Sequence, residues 1–130
     1  MLTRQEMIDL VLHYFAGVDG QDIDKVLSTL TPECAFHVET HGVTLQGHPQ
    51  IAGMLERLWS HHRAVLHRDF AFVTDVDAGR IAAQFQVVNT ELNGDLTYKS
   101  NCNFFDLEGD RFSGVSVYMA GPNTLEGNAS

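Results

Sequence analysis

The stretch that decides the fold is the junction at residues 14–24, which read YFAGVDGQDID. Tyr14, Phe15 and Val18 belong to an apolar face that recurs at helical spacing through the preceding residues. Gly20 is typical of the position where such a helix ends, and the residues after it can start another. The junction therefore predicts two consecutive amphipathic helices separated by a tight turn.

The segments on either side of this junction predict helices first and strands afterwards. Thr3 and Glu6 match a capping box at the start of the first helix. Asp22 can cap the second helix, which Thr31-Pro32 should end, and Pro49 fits the first turn of a third helix. Strands are predicted at residues 34–39, 65–74, 80–91, 96–107 and 112–120, with a glycine-punctuated loop before residue 47.

The order of these elements is typical of the α+β class. A meander of four long strands cannot bury one of its faces alone, whereas three amphipathic helices can cover it. We expect a single domain over residues 1–130, with a core at about residues 3–120 and residues 121–130 as a loose tail. The predicted architecture is a curved antiparallel sheet wrapped around three N-terminal helices, with an opening that suits a small ligand.

The charge of the chain argues against several classes of partner. Lys and Arg total 8 against 17 Asp and Glu, so the formal net charge is −9, and the basic residues are scattered. We therefore expect no binding to nucleic acid or to an anionic membrane. The sequence has no signal-peptide pattern, and its only cysteines are Cys34 and Cys102. This predicts a cytoplasmic protein with two free thiols.

The pair Asn93-Gly94 predicts a two-residue hairpin turn between the two strands that flank it. With such a turn, Gln86 lies opposite Asn101 and Gln84 lies opposite Asn103. These four amides would then share one face of the sheet, because side chains alternate between faces along a strand. That face is either a solvated surface or the polar floor of a pocket.

The opposite face of the same hairpin would carry aromatic side chains, among them Phe85 and Phe104. An apolar sheet face of this kind needs a cover. A second copy of the chain is the natural cover, so we expect a homodimer.

The seven histidines predict no metal site, because their spacing is mixed and no HExxH motif is present. His67 lies among apolar and aromatic residues of a predicted strand. It is either a buried histidine whose hydrogen bonds are satisfied locally or an acid/base group. His37, on the first predicted strand, is a second acid/base candidate.

Tyr14 and Asp19 each allow two interpretations. Tyr14 is either a core residue with a structural hydrogen bond or a donor that polarises a substrate oxygen. Asp19 is either a turn or capping residue or a carboxylate that orients an imidazole ring.

Four segments together resemble the SnoaL-like branch of the nuclear-transport-factor-2-like superfamily. They are residues 14–24, 30–36 (LTPECAF), 47–51 (GHPQI) and 107–112 (LEGDRF), and the resemblance covers about residues 3–120. It implies a cone-shaped sheet around three helices. Members include ketosteroid isomerases, scytalone and bile-acid dehydratases, polyketide cyclases, epoxide hydrolases and binding proteins, so the resemblance implies the fold without naming a reaction.

The isomerase and cyclase patterns are incomplete in this chain. Tyr14 matches the oxyanion-hole tyrosine of the isomerases, and Asn101 lies near their second oxyanion donor. Val38 occupies the position of their catalytic base, and Glu39 would reach it only after a one-residue slip that turns it to the other face. Residues 117–120 (VYMA) lack the acid that the cyclases use.

The dehydratase pattern is more complete in this chain than the isomerase and cyclase patterns. Tyr14 and Asp19 look like the Tyr and Asp of the bile-acid dehydratase. His67 looks like the histidine of both dehydratases, and Asn101 looks like the pocket asparagine of scytalone dehydratase. Asn89 stands near the place where these enzymes have a further Asp or His, which leaves one acid/base group missing.

The resemblance and the residues together predict a cofactor-independent lyase or isomerase that acts on an apolar carbonyl compound. His67 would remove a proton next to the carbonyl, Asp19 would orient His67, and Tyr14 and Asn101 would bind the enolate oxygen. The predicted ligand is a small apolar or polycyclic compound, such as a cyclic ketone, a polyketide or a steroid-like compound. Its predicted contacts are Val18, Val38, Trp59, Gln86 and Asn103. The alternatives are a non-catalytic binding module with the same pocket and a dimerising accessory domain.

Overall fold

The computed structural model describes residues 1–121, so the tail predicted at residues 121–130 lies outside the described residues except for Gly121. Within these residues, three helices and six strands form an α+β arrangement. The helices are α1 (Arg4–Asp19), α2 (Ile23–Leu27) and α3 (Gly47–His61), with a short 3-10 turn at Glu39–His41. The strands are β1 (Leu30–Val38), β2 (Val43–Gln46), β3 (His62–Asp75), β4 (Arg80–Glu91), β5 (Leu96–Glu108) and β6 (Arg111–Tyr118).

Helix α1 begins at the predicted capping box. The Glu6 backbone N–H donates to Thr3 Oγ1 at 3.2 Å, and the Thr3 N–H donates to Glu6 Oε1 at 2.9 Å. At its other end α1 contacts α2 so closely that only a glycine fits. A Cβ on Gly17 would lie 2.7 Å from Val26 Cγ2, which is a clash. The junction at residues 14–24 thus fixes how the first two helices pack.

The sheet is mixed rather than wholly antiparallel as predicted. Its strand order is β2-β1-β6-β5-β4-β3, and β1 pairs with β6 in parallel. The meander from β3 to β6 is antiparallel as expected, but β6 ends it beside β1 and runs in the same direction. Strand β2 lies where the sequence predicted a loop. It was not predicted as a strand because its four residues are too few for a clear alternating pattern.

The hairpin between β4 and β5 has a three-residue loop, so the predicted register is wrong by one residue. The Glu91 N–H donates to Asp95 O at 2.8 Å, and Gly94 takes a left-handed conformation with φ 93°. Asn93 favours this longer loop because its Oδ1 accepts from the Asp95 N–H at 2.9 Å. A register shift of one residue between β4 and β5 means that the residues of β5 share a sheet face with the other alternating set of β4 residues.

The corrected register separates the four amides that were expected to share a face. Asn101 lies opposite Phe85, and Asn103 lies opposite Ala83, all on the face that packs against the helices. Gln84 and Gln86 lie on the outer, solvent-facing side. The expectation that Phe85 helps to form an exposed outer face is therefore wrong.

A bulge in β3 places two side chains of the same strand on the inner face at an unusual spacing. The register shifts between Arg68 and Ala71, where Asp69 has φ 58°. As a result, both His67 and Phe70 pack against the ring of Phe15, at centroid distances of 4.6 Å and 5.3 Å. Bulges commonly redirect side chains in this way next to functional sites.

The core fills the concave face of the sheet, where α1 and α3 pack. Its largest fully buried side chains include Met7, Ile51, Phe36, Phe85, Phe105 and Phe112. Among the helices described for residues 1–121, none combines the length and apolar character needed to cross a membrane.

Candidate active site

The centre of the site is a carboxylate–imidazole pair between α1 and β3. Asp19, the last residue of α1, accepts a hydrogen bond from the backbone N–H of His67 at 2.8 Å. Its other oxygen lies 2.6 Å from His67 Nδ1. A carboxylate at that distance keeps the proton on Nδ1, so the Nε2 lone pair is free to accept a proton.

Asp19 does not cap the second helix, which was its structural alternative. Asp22 caps α2 instead, because its Oδ1 accepts from the Lys25 N–H at 3.1 Å. Both members of the pair are largely shielded from water: their side chains are 10% exposed for His67 and 19% for Asp19. The imidazole is held between aromatic rings, 4.6 Å from Phe15 and 5.3 Å from Phe85.

His67 opens into a cavity between the sheet and helices α1 and α3. The cavity volume is about 60 Å³. Most of its walls are apolar, and they include Phe15, Val18, Met54, Leu58, Phe85 and Val117. Its polar lining residues are Tyr14, His67, Asn89, Lys99, Asn101 and Asn103. Such a cavity, apolar with a few polar groups, is typical of a small-molecule site.

Tyr14 presents a protonated hydroxyl to this cavity. The residue is 3% exposed and lines the cavity, so its hydroxyl is shielded from bulk water. Burial raises the pKa of Tyr14 above its ordinary value, and the nearby Cys34 and Asp19 add to the shift. Tyr14 is therefore a neutral hydrogen-bond donor at neutral pH.

Asn101 is oriented by the chain segment that follows β6. Its Oδ1 accepts from the Ala120 N–H at 3.0 Å. Since the oxygen is engaged there, the Nδ2 group remains as the donor that this lining residue can offer to the cavity. Tyr14, His67 and Asn101 thus contribute a donor, a proton acceptor and a second donor to one cavity.

Two further asparagines contribute buried amide oxygens without hydrogen-bond partners among the described residues. Asn89 and Asn103 are each 3% exposed, and the Oδ1 atom of each has no hydrogen-bond partner within residues 1–121. A buried polar atom left without a partner costs roughly 1–3 kcal/mol. Groups of this kind in a cavity wall are explained if a bound ligand or water supplies the missing hydrogen bonds.

Of the residues predicted to contact ligand, Val18 and Asn103 line the cavity and three others do not. Trp59 donates from Nε1 to the Val18 carbonyl at 2.9 Å and so joins α3 to the end of α1. Val38 is fully buried in β1 beyond the cavity wall. Gln86 bonds Ser100 Oγ at 3.2 Å on the outer face, as the corrected register requires.

The reserve acid/base candidates also lie outside the cavity. His37 contacts Thr44 Oγ1 at 3.1 Å on strand β2, and Glu39 is exposed in the 3-10 turn. Sequence reasoning missed Phe15 and Lys99 as lining residues. The alternation of β5 could have identified Lys99 once Asn101 was assigned to the inner face.

The described residues offer no evident metal centre. Within residues 1–121, no group of three or more His, Cys, Asp or Glu side chains is placed to hold a metal ion. Burial raises the pKa of the Cys34 thiol to about 12, so this thiol is not a nucleophile at neutral pH. The titratable side chains among the described lining residues of the cavity are Tyr14, His67 and Lys99.

Solved structures with the same fold come from several proteins. A candidate polyketide cyclase from Xanthomonas campestris pv. campestris superposes with a TM-score of 0.80 at 22% identity, covering 88% of this chain and 90% of that one. A candidate polyketide cyclase from Silicibacter sp. gives 0.78 at 23% identity, with 100% of both chains covered. At these identities the likeness concerns the fold alone.

A third structure contains a ligand. TerC, co-crystallised with polyporic acid, superposes with a TM-score of 0.75 at 17% identity, covering 88% of this chain and 91% of that one.

The comparison with curated proteins finds no significant match. The family model of the SnoaL-like domain matches residues 1–120. The chain therefore belongs to the SnoaL-like domain family and has its nuclear-transport-factor-2-like fold.

Proposed function

We propose that this protein is a cofactor-independent enzyme of the dehydratase or isomerase type, which transfers a proton on a small apolar carbonyl compound. The observation that carries the proposal is the Asp19–His67 pair at the wall of an apolar cavity. An imidazole whose Nδ1 proton is held by a carboxylate has a free Nε2 to act as a base. The neutral donors Tyr14 and Asn101 line the same cavity.

The proposed reaction starts with proton abstraction. His67 Nε2 takes a proton from the carbon next to the carbonyl, and the C–H electron pair moves to the carbonyl oxygen to form an enolate. Tyr14 and Asn101 donate hydrogen bonds to this oxygen, which lowers the barrier because the charge develops opposite fixed donors. Asp19 stabilises the imidazolium that forms.

The second half of the reaction returns the proton. In an isomerase, whose substrate is a β,γ-unsaturated ketone, the imidazolium gives the proton to the far carbon of the resulting dienolate, and the double bond moves into conjugation with the carbonyl. In a dehydratase, it protonates a hydroxyl on the next carbon while the C–O bond breaks, and water leaves. Both courses balance without an oxidant, a reductant or a metal.

The cavity limits the size of the substrate. Its volume of about 60 Å³ is well below the roughly 300–1,000 Å³ of pockets for drug-sized ligands. An engineered protein cavity that binds benzene has a volume of roughly 150 Å³. Even a single-ring ketone therefore requires the flexible side chains of Met54 and Met119 to move, and a steroid-like compound requires a larger rearrangement. The polyporic acid complex of TerC supports binding of a cyclic organic compound by this fold.

Proton transfer can be tested without knowing the natural substrate. Cyclohexanone in D₂O exchanges the hydrogens next to its carbonyl, and NMR follows the rate. We expect the protein to accelerate the exchange, and His67→Ala to remove the acceleration. His61→Ala is the matched control, because His61 is exposed at the end of α3. Equal rates with the protein, with His67→Ala and with buffer would contradict the proposal.

A second candidate function is binding without chemistry. The unpartnered amides of Asn89 and Asn103 favour a ligand, whereas catalysis requires in addition that His67 accept a proton. Cyclohexanone binding without accelerated exchange, with the same affinity in His67→Ala, would identify a binding module.

We also propose a homodimer that forms through the outer face of the sheet. This face carries large exposed side chains, with Val73 at 73%, Tyr98 at 64% and Tyr118 at 44% exposure. A shallow groove of about 560 Å³ runs between Val73 and Tyr118.

Light scattering after gel filtration tests the proposed dimer. The wild type should give twice the chain mass, and Val73→Glu should give a monomer. Asp77→Asn is a control outside the groove. A monomeric wild type would overturn the homodimer proposal.

A further inference from the structure

One cationic side chain in the cavity has no part in the proposed proton transfer. Lys99 lies on β5 opposite Val87 of β4, and its side chain lines the cavity on the same face as Asn101. A half-buried lysine in an apolar wall is unusual, because an ammonium group loses much of its hydration there. Burial lowers the pKa of Lys99, while the charge of Glu91 acts in the opposite direction.

The charge of Lys99 is not neutralised within residues 1–121. None of the cavity-lining side chains is an Asp or Glu, and no described carboxylate forms an ion pair with Lys99. Glu91 is already engaged: its Oε1 accepts from Thr97 Oγ1 at 2.9 Å, and its Oε2 lies 3.7 Å from His62 Nε2. A charge in this position favours an anion from outside the protein.

A second group at the same end of the cavity also lacks a partner. Asn89 lies two residues beyond Val87 on β4, on the same face and diagonal to Lys99. Such diagonal neighbours are within reach of each other's long side chains. The Asn89 side chain is 3% exposed and lines the cavity, yet its Oδ1 atom has no described hydrogen-bond partner. Rotation about its last bond can direct either the oxygen or the NH₂ group towards a ligand.

We propose that this end of the cavity binds the carboxylate of a small, otherwise apolar ligand, with Lys99 supplying the charge and Asn89 a hydrogen bond. The inference rests on the proposed function, since it names the substrate class of the same cavity as a carbonyl compound that also bears a carboxylate. Among the described lining residues, Lys99 is the one lysine and none is an Asp or Glu. Such a cavity favours an anion over a neutral analogue, because only the anion compensates the half-buried ammonium.

Benzoate and benzyl alcohol test the inference, because they share a ring and differ in charge. NMR titration of the wild type should give a dissociation constant for benzoate about tenfold lower than that for benzyl alcohol. Lys99→Met keeps the apolar stem and should remove this preference by weakening benzoate alone. Lys99→Arg should restore most of it, and Lys25→Met, which changes a lysine of α2 outside the cavity, should have no effect.

Three outcomes would overturn the inference: equal affinities for the two compounds in the wild type, no binding of either, or an unchanged preference in Lys99→Met. The titration is independent of the proposed chemistry. If the benzoate preference is present and the protein does not accelerate cyclohexanone exchange, only the catalytic proposal fails. If exchange depends on His67 and the preference is absent, only the anionic substrate class fails.

Discussion

Asp19 binds His67 twice, with one carboxylate oxygen 2.8 Å from the backbone nitrogen and the other 2.6 Å from ring Nδ1. The first bond holds the strand β3 to the end of α1, and the second sets the orientation of the ring. A single residue therefore positions both the backbone and the side chain of the proposed base.

Asp19→Asn should impair proton transfer far more than ligand binding. An amide has one oxygen, so it cannot accept both hydrogen bonds from His67, and it does not stabilise an imidazolium. We expect the exchange rate to decrease by roughly 10²–10⁴-fold, the range of general acid–base contributions, with less than a threefold change in the ligand dissociation constant. Asp9→Asn, on the exposed side of α1, is the control. An exchange rate equal to that of this control would contradict the role of Asp19.

Asn103→Leu should stabilise the fold while it weakens ligand binding. The substitution removes a buried amide whose Oδ1 has no partner among the described residues, so we expect the free energy of unfolding to increase by about 1 kcal/mol. Urea titration measures this increase, and NMR titration with benzoate or cyclohexanone measures the affinity. Gln86→Leu, on the outer face, should leave the affinity unchanged. The same affinity in both variants would show that Asn103 does not contact ligand.

Gly17→Ala should destabilise the junction between α1 and α2. The added Cβ would lie 2.7 Å from Val26 Cγ2 and 2.9 Å from the Val26 backbone nitrogen, and a backbone atom cannot move away alone. Overpacking of this kind costs roughly 1–3 kcal/mol in thermal or urea unfolding.

Gly53→Ala is the matched control for that substitution. Gly53 lies inside α3, and a Cβ there would meet only Arg57 Nη1 at 3.5 Å. Because alanine favours a helix over glycine, we expect a gain of up to about 1 kcal/mol. A neutral Gly17→Ala would mean that the two helices can separate at little cost.

The stability of the fold should decrease above pH 9 because of Cys34. Burial raises the pKa of this thiol from 9.0 to about 12, so the unfolded chain loses the proton first as the pH increases. The contribution is complete below pH 9 and is lost between pH 9 and 12. At one pH unit above the pKa of the thiol in the unfolded chain, the free energy of unfolding is lower by about 1.4 kcal/mol.

Urea unfolding at pH 8 and pH 10 measures this effect. In Cys34→Ala the free energy of unfolding should decrease between pH 8 and pH 10 by about 1.4 kcal/mol less than in the wild type. This comparison holds whatever the stability of the variant at pH 8. Cys102→Ala should retain most of the decrease, because Cys102 lies on the outer face and is less buried than Cys34. An equal decrease in Cys34→Ala and wild type would contradict the assignment.

The local patterns of the sequence predicted most helices and strands correctly. Capping at Thr3 and Asp22 depends on residues three apart, which a sequence displays directly. The meander of β3 to β6 follows from long alternating stretches with short turns. Strand β2 and the parallel pairing of β1 with β6 were missed, because they depend on contacts between distant segments.

The register of one hairpin decided which residues form the site. Asn93-Gly94 indicates a turn correctly, yet the turn holds one more residue than that pair predicts, because the Asn93 side chain bonds the Asp95 N–H. This single residue turned Gln86 outward and Asn101, Asn103 and Phe85 inward. A sequence pattern with period two cannot reveal such a shift when both faces carry polar and aromatic residues.

The sequence by itself determined the α+β class and the family, since these depend on periodicity and local motifs. Only the tertiary structure decided that Asp19 reaches His67 across 48 residues of chain. It also placed Tyr14, His67, Lys99 and Asn101 around one cavity. The reason is physical: convergence depends on sheet register, on the β3 bulge and on the close approach of α1 to α2, all of which are set by packing between distant segments.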